Sequence, residues 1–294
     1  MHHSVQVKSV LPVLNNETIK YNNHSYFPNH YRMLIVGESG NGKTVLLNRL
    51  LLTSMLDWDI LYLYTPSILQ PTYQVLINAI NSGLTSSQIM GIYAEQENIT
   101  DYNQVIKFIS ESLKLIQTRK VIANSDPGNI MNPEDLSKES MNEWKNLEIN
   151  SINSKKRKNS QFKPLRPPKT IVVIDDAICS KQNSINKMFV YGRTYGINVN
   201  YLSQAFFATK KNETRTNVNV FILYRQSLSD TKMVYSRICK DEQTFEEFHN
   251  FVKKCWNQPR GFALIVNTAT EPTKYIDGSD VTKTIEILER LLYT

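Results

Sequence analysis

A glycine-rich loop is the feature of this sequence that most restricts its fold. The loop, GESGNGKT at residues 37–44, follows the apolar run RMLIVG, which is typical of a buried strand. It precedes KTVLLNRLLLTSML, in which apolar residues recur at helical spacing. Glycines allow such a loop to curl with its backbone N–H groups pointing inward, and the start of the helix adds partial positive charge. Strand, loop and helix together predict a site for a chain of phosphates.

The loop satisfies the pattern G-x-x-x-x-G-K-[ST], so each of its residues is predicted to bind nucleotide. Lys43 is expected to reach the β- and γ-phosphates of ATP, and the Thr44 hydroxyl to bind Mg²⁺. The other predicted nucleotide-binding residues are Gly37, Glu38, Ser39, Gly40, Asn41 and Gly42. A chance match is the alternative, and the strand and helix patterns on either side argue against it.

Two aspartates end a second apolar run, TIVVID, at residues 170–175. The carboxyl edge of a parallel sheet is where α/β proteins bind ligands, so Asp175 and Asp176 are expected at a ligand site. Asp175 is predicted to hold Mg²⁺ with its water shell. Asp176 is predicted to polarise the attacking water as a general base. Alternatively, the two aspartates only cap the next helix.

A glutamine follows a third strand-like run. In INVNYLS, residues 197–203, apolar and polar residues alternate, which predicts a half-buried strand. If this strand lies beside the one that ends at Asp175, its tip brings Gln204 near the γ-phosphate. A neutral amide there can hydrogen-bond both water and phosphate, so Gln204 is a predicted catalytic residue. The alternative is a polar residue that merely faces solvent at a strand end.

Strand-like and helical patterns alternate along the chain. Further strand-like runs occupy residues 59–65, 217–224 and 262–268, with helical patterns between them, one of which covers residues 101–117. This alternation predicts an α/β fold with a mainly parallel central sheet. Residues 1–30 are predicted to form an irregular arm, and residues 31–294 a single nucleotide-binding domain.

Residues 124–169 differ in composition from the rest of that domain. They are rich in Asn, Ser, Lys, Pro and Glu, and their few apolar residues predict a mobile insertion rather than a second core. Within this insertion, the segment NSKKRKNSQFKPLRPPKT carries the basic residues Lys155, Lys156, Arg157, Lys158, Lys163, Arg166 and Lys169. They could contact DNA phosphates through a salt-sensitive attraction that does not depend on base sequence. A solvated linker and a nuclear-localisation-like run are the alternatives.

Charge and composition narrow the partners and compartments only slightly. A formal net charge of +7 and a pI of about 9.1 favour an acidic partner such as nucleic acid. No apolar stretch has the length of a membrane span and no signal-peptide pattern is present, so a soluble, non-exported protein is expected. Cys179, Cys239 and Cys255 are widely spaced and form no C-x-x-C pair, which predicts reduced, buried thiols.

Taken together, GESGNGKT, IVVIDD, GRTYGINVNYLSQ and ATKKNETRTNVNVFILYR resemble the FtsK–HerA superfamily, and within it the poxvirus-type genome-packaging ATPases that virophages share. The resemblance covers residues 33–224. It implies a RecA-like P-loop core that assembles into a ring, and an arginine borrowed from the neighbouring subunit. Arg215 is the first candidate for that arginine and Arg193 the second, although either could form a structural salt bridge. Two features depart from the family: Asp176 stands where many members carry Glu, and the insertion is long.

The resemblance implies an ATPase that translocates double-stranded DNA and packages a viral genome into a preformed capsid. ATP and Mg²⁺ are the expected cofactors. The expected partners are sequence-independent duplex DNA, further copies of the chain in a pentameric or hexameric ring, and a capsid or portal vertex. The expected location is the viral assembly site in the host cytoplasm, or the virion.

Other functions are weaker candidates. An ATP-dependent assembly or scaffold protein, or a DNA-transfer ATPase of a mobile element, would carry the same motifs. A GTP-binding switch is disfavoured because INKMF lacks the aspartate that reads guanine. A small-molecule kinase would need neither Asp176 as a base for water nor Gln204.

Overall fold

A single eight-stranded sheet, with helices on both faces, organises the chain. The computed structural model describes residues 19–84, 119–154, 167–177, 182–206, 212–239, 241–269 and 274–293. The strands are β1 (Arg32–Val36), β2 (Ile60–Tyr64), β3 (Lys120–Asn124), β4 (Thr170–Asp175), β5 (Ile197–Ser203), β6 (Val220–Tyr224), β7 (Phe262–Val266) and β8 (Tyr275–Asp277). The helices are α1 (Lys43–Leu52), α2 (Pro71–Asn81), α3 (Pro133–Ser154), α4 (Gln182–Tyr191), α5 (Asn212–Asn217), α6 (Leu228–Ile238), α7 (Phe245–Trp256) and α8 (Gly278–Tyr293).

The sheet has the strand order β3-β2-β4-β5-β1-β6-β7-β8. The strands from β3 to β6 in this order pair in parallel, whereas β7 pairs antiparallel with β6, and β8 antiparallel with β7. The predicted α/β fold with a mainly parallel sheet is confirmed. Because β7 runs in the opposite direction, its first residue lies at the edge of the sheet where β6 ends.

The sheet separates two hydrophobic cores. Successive residues of a strand point to opposite faces, so Met33 and Ile35 of β1 enter one core, while Leu34 and Val36 enter the other. The first core contains side chains of α1, α2 and α8, and the second contains side chains of α3, α4, α6 and α7. Helix α1 is thus fixed against the sheet directly behind the glycine-rich loop.

Part of the range predicted to be a mobile insertion, residues 124–169, packs against the second core. Residues 133–154 form helix α3, and its Leu136, Trp144 and Leu147 are buried in the second core. Residues 155–166, which hold most of the basic cluster, lie outside the described residues, as does the predicted helix at residues 101–117. Lys169 is only 7% exposed and pairs with Asp57, so it cannot contribute to a solvated basic surface.

Strand β5 is buried on both faces, which differs from the predicted half-buried strand. Asn198 and Asn200 are each 0% exposed. The Asn198 Oδ1 accepts a hydrogen bond of 3.0 Å from the backbone N–H of Tyr31. On the other side of β1, the Asn219 Oδ1 accepts one of 2.7 Å from the N–H of Arg32. The polar residues of this region therefore accept hydrogen bonds from the backbone at the start of β1. The alternation of apolar and polar residues predicted instead that the polar side chains face solvent.

The described part of the N-terminal arm, residues 19–30, contains no helix or strand but packs tightly on the domain. The Tyr21 hydroxyl donates to the Gly196 carbonyl oxygen at 2.6 Å and accepts from the Thr170 N–H at 3.0 Å. Cys239 and Cys255 are free and buried, whereas Cys179 lies outside the described residues. In the part of the chain that the structure describes, no helix has both the length and the apolar character to span a membrane.

Candidate nucleotide site

The register of the sheet brings four strand tips to one edge. Asp175 at the end of β4 pairs with Leu202 of β5, and Ser203 of β5 pairs with Val36 of β1. Val36 also pairs with Leu223 of β6. The residues that follow these strands therefore meet at the carboxyl edge, where parallel sheets bind ligands.

The glycine-rich loop curls at this edge because two of its glycines adopt left-handed backbone angles. Gly40 has a φ of 84° and Gly42 a φ of 91°, a region that side chains disfavour. The Gly37 N–H donates to the Ser203 carbonyl at 3.1 Å, which ties the loop to β5. The Lys43 Nζ donates to the carbonyl oxygens of Gly37 at 2.6 Å and Glu38 at 3.0 Å, so the ammonium group lies inside the curl.

The carboxylates face this ammonium group. Burial raises the pKa of Asp175, an effect that hydrogen bonding from the Tyr73 hydroxyl and the charge of Lys43 oppose. Burial lowers the pKa of Lys43, and the charges of Asp175 and Asp176 act in the opposite direction. Asp176 has a φ of 52°, which is unusual for a residue other than glycine. Strained backbone of this kind is often found at functional sites.

Gln204 lies beside the second carboxylate. Its Nε2 donates to the Asp176 Oδ1 at 3.2 Å. Loop and carboxylates enclose one cleft of about 290 Å³. Of the predicted site residues, those that line this cleft are Ser39, Gly40, Gly42, Lys43, Thr44, Asp175, Asp176 and Gln204. The three motifs, which are far apart in the sequence, thus contribute to the same cavity.

The remaining loop residues support the curl. A Cβ on Gly37 would lie 2.7 Å from the Cβ of Tyr224, so only glycine fits there without displacement. The Asn41 N–H donates to the Glu38 carbonyl at 3.3 Å, which closes the turn at the tip of the loop. These residues shape the loop, and their predicted contacts with nucleotide would come from the backbone.

The two candidate arginines lie outside the cleft of their own chain. Arg215 is in α5, with its guanidinium carbon 5.8 Å from the ring centre of Phe206, and burial lowers its pKa. Arg193 precedes β5, at the opposite edge of the sheet from the loop, and its charge lowers the pKa of His30 and of Arg32 after the effect of burial. Neither arginine is among the residues that line the cleft.

Several residues that line the cleft were not predicted from the sequence. Ser67 and Gln70, from the connection between β2 and α2, and Thr72, in the first turn of α2, line the cleft, and the Tyr73 hydroxyl donates to Asp175. Arg260 comes from the turn before β7. No motif marks these residues. Only the antiparallel direction of β7 could have indicated that the turn before it lies at the loop's edge.

The donor set suits Mg²⁺. This ion binds proteins through one or two oxygen ligands and completes its shell with water and phosphate oxygens. The Thr44 hydroxyl and the Asp175 carboxylate, both in the cleft, offer such ligands. Among the described residues there is no group of three or more His, Cys, Asp or Glu side chains that could hold a metal without such help.

One protein family and several solved structures are similar to this chain. The sequence profile of the family described as "Poxvirus A32 protein" matches residues 18–107, which include the loop and α2. Over these residues, this P-loop ATPase is similar to the poxvirus A32 protein. The resemblance that the motifs indicated is thereby confirmed. No curated protein matches the sequence of this ATPase significantly.

Three solved structures illustrate how far the similarity of fold extends. The genome packaging NTPase B204 from Sulfolobus turreted icosahedral virus 2, in complex with AMP, is 11% identical, with 85% of this chain and 98% of that chain covered at a TM-score of 0.43. The pCW3 conjugation coupling protein TcpA is 16% identical, with 89% of this chain and 65% of that chain covered at a TM-score of 0.40. VirB4 of Thermoanaerobacter pseudethanolicus is 12% identical, with 81% of this chain and 87% of that chain covered at a TM-score of 0.36. At such low similarity, the site of this ATPase has to be understood from its own residues.

Proposed function

We propose that this ATPase is a motor that translocates double-stranded DNA and packages a viral genome into a preformed capsid. The observation that carries the proposal is the meeting of Lys43, Asp175, Asp176 and Gln204 in one cleft. A lysine and a hydroxyl suffice for binding a nucleotide. A second carboxylate and an amide beside the phosphates favour hydrolysis by water, as a motor needs.

Each residue has one role in this proposal. The loop and Lys43 bind the phosphates, and Thr44 and Asp175 hold Mg²⁺, which when bound neutralises phosphate charge. Asp176 accepts a proton from the attacking water. Gln204, already hydrogen-bonded to the Asp176 Oδ1 at 3.2 Å, orients that water and fixes the carboxylate. Because aspartate is one methylene shorter than glutamate, the water has to bind closer to the backbone of β4.

The motor requires partners beyond one chain. We infer a homo-oligomeric ring, pentameric or hexameric, in which Arg215 reaches the cleft of the adjacent subunit, with Arg193 as the second candidate. Duplex DNA is gripped through its phosphates without regard to base sequence. The ring docks on a capsid or portal vertex at the viral assembly site in the host cytoplasm, or stays with the virion.

Stimulation of ATP hydrolysis by DNA tests this function. We expect long duplex DNA to accelerate hydrolysis by the purified ATPase, and Lys43→Ala to reduce the rate by at least about 100-fold because the main phosphate cation is lost. Lys138→Ala, which removes an exposed lysine of α3 with a side chain 57% exposed, is the matched control and should retain the rate. A hydrolysis rate indifferent to DNA would point instead to an assembly or scaffold protein.

A further inference from the structure

The turn that joins α7 to β7 lies beside the glycine-rich loop. Phe262, the first residue of β7, pairs with Tyr224, the last residue of β6. Tyr224 in turn packs against Gly37, the first residue of the loop. The turn, residues 257–261, therefore lies at the edge of the sheet where the loop lies, on the side away from β4 and β5.

This turn has a fixed shape. A Cβ on Gly261 would lie 2.1 Å from the Cys255 carbonyl oxygen, so only glycine can occupy that position. The Gly261 N–H donates to the Gln258 carbonyl at 2.9 Å. The Trp256 Nε1 donates to the Leu223 carbonyl at 2.8 Å, which fastens the end of α7 to β6. Arg260 adopts a φ of 54°, a conformation that costs free energy for any residue with a Cβ. A rigid turn thus holds an arginine in a strained conformation.

The Arg260 side chain extends over the loop. Its Cδ lies 3.5 Å from the point that a Cβ on Gly42 would occupy, and Arg260 lines the cleft. None of the ion pairs formed within the described ranges involves Arg260. A guanidinium group at the rim of an anion site, with no carboxylate partner in that part of the chain, is positioned to bind a ligand's negative charge.

The side of the loop on which Arg260 lies decides which phosphates it can bind. Asp175, Asp176 and Gln204 follow β4 and β5 and mark the end of the cleft where the γ-phosphate would react. Arg260 enters from β7, on the other flank of the loop. We propose that Arg260 binds, within its own chain, the phosphates that ATP and ADP share, on the nucleoside side of the cleft. This assignment depends on the nucleotide site of the proposed function, and it is distinct from the arginine that a neighbour supplies.

Equilibrium binding of ADP and of a non-hydrolysable ATP analogue, measured by titration calorimetry, tests the assignment. We expect Arg260→Ala to weaken both ligands by a similar factor, about 5- to 20-fold, as for the loss of a charge-assisted hydrogen bond. Arg260→Gly should do the same. Glycine relieves the strain at φ 54°, so a loss of affinity in that variant comes from the missing side chain and not from a damaged turn. In steady state, KM should rise while kcat is retained.

Arg225→Ala is the matched control. Arg225 follows β6 at the same edge and is exposed, but it does not line the cleft, so its removal should leave both affinities unchanged. Three results would overturn the proposal: unchanged affinity in Arg260→Gly, weakening of the ATP analogue alone, or equal weakening in Arg225→Ala. Because binding is measured without hydrolysis or DNA, these results are independent of motor function. Loss of binding in Lys43→Ala would separately verify the site itself.

Discussion

Tyr73 shows how a core residue can adjust a functional group. Its ring is 1% exposed and packs in the first core, and its hydroxyl donates to the Asp175 Oδ2. Burial raises the pKa of Asp175, and the hydrogen bond from Tyr73 is the largest effect that lowers it again. Tyr73 therefore favours the ionised carboxylate that the proposed Mg²⁺ ligand requires.

Replacement of Tyr73 by phenylalanine should shift the acid limb of ATP hydrolysis to higher pH. Without the hydroxyl, the pKa of Asp175 rises further, so protons compete with Mg²⁺ for the carboxylate at a higher pH. At subsaturating Mg²⁺, the apparent Mg²⁺ affinity of Tyr73→Phe should fall more steeply than that of the parent as the pH is lowered. Tyr191→Phe, at a side chain 54% exposed, is the control. Identical pH profiles for Tyr73→Phe and the parent would argue against this role.

The site residues that could be predicted from the sequence are those that lie at the ends of strands or in a known loop pattern. Lys43, Asp175 and Gln204 each stand at a strand tip or in a loop pattern whose geometry is local, so their meeting could be predicted. Tyr73 and Arg260 reach the cleft only through the packing of α2 and the antiparallel direction of β7. Contacts of that kind depend on tertiary structure and produce no characteristic spacing of residues in the sequence.

A bidentate ion pair between Arg49 and Glu289 joins helices α1 and α8. The Arg49 Nε donates to the Glu289 Oε1 at 2.7 Å, and the Arg49 Nη2 donates to the Glu289 Oε2 at 2.8 Å. The side chains are 28% and 14% exposed, and Glu289 is the leading cause of the raised pKa of Arg49. Since α1 carries the loop at its N-terminus, this pair connects the nucleotide site to the last helix.

The change Glu289→Gln should lower the free energy of unfolding by about 1 kcal/mol, since the pair is bidentate and only partly solvated. Denaturant unfolding at low and high salt measures the effect, which should shrink as salt increases. Asp280→Asn breaks a more exposed pair on the same helix, between side chains 57% and 70% exposed at 3.5 Å, and should cost almost nothing. Equal losses in the two variants would contradict a special contribution of Arg49 and Glu289.

Elements were predictable from the sequence where apolar residues are dense. β4 and β5 have the bounds that their apolar runs indicate, because strands buried on both faces tolerate few breaks. β3 and β8 were not predicted because they are the two edge strands of the sheet and are mostly half-buried, so their sequences lack a dense apolar run. The polar composition of α3 concealed a helix whose core contacts come from Leu136, Trp144 and Leu147, spaced eight and three residues apart on one helical face.

The ring that we propose requires sites completed between subunits. Arg215 in α5 and Arg193 at the far edge of the sheet both lie away from the cleft of their own chain. In that ring, a neighbour that presents α5 to the cleft would supply positive charge near the γ-phosphate, in addition to Arg260 of the same chain.

Mixing two inactive variants should restore hydrolysis if Arg215 acts between subunits. Arg215→Ala spoils the site of a neighbour and Asp176→Asn spoils the subunit's own site, so some interfaces in mixed rings combine two intact halves. With random assembly at equal amounts, about a quarter of the sites should be active. Asp176→Asn mixed with Lys43→Ala is the control, because both changes disable the cleft of the chain that carries them. Recovery in neither mixture, under conditions in which rings form, would remove Arg215 from this role.

Strand β1 is fastened at both of its ends by the strands beside it. Asn198 and Asn219 bind the backbone at Tyr31 and Arg32, and the Ser203 carbonyl binds the N–H of Gly37. The five residues of β1 therefore set the distance between these two attachment points. Surface loops generally tolerate insertions and deletions. In β1, one residue added or removed would either break the hydrogen bonds of the Asn198 and Asn219 side chains or move the glycine-rich loop out of alignment with the carboxylates.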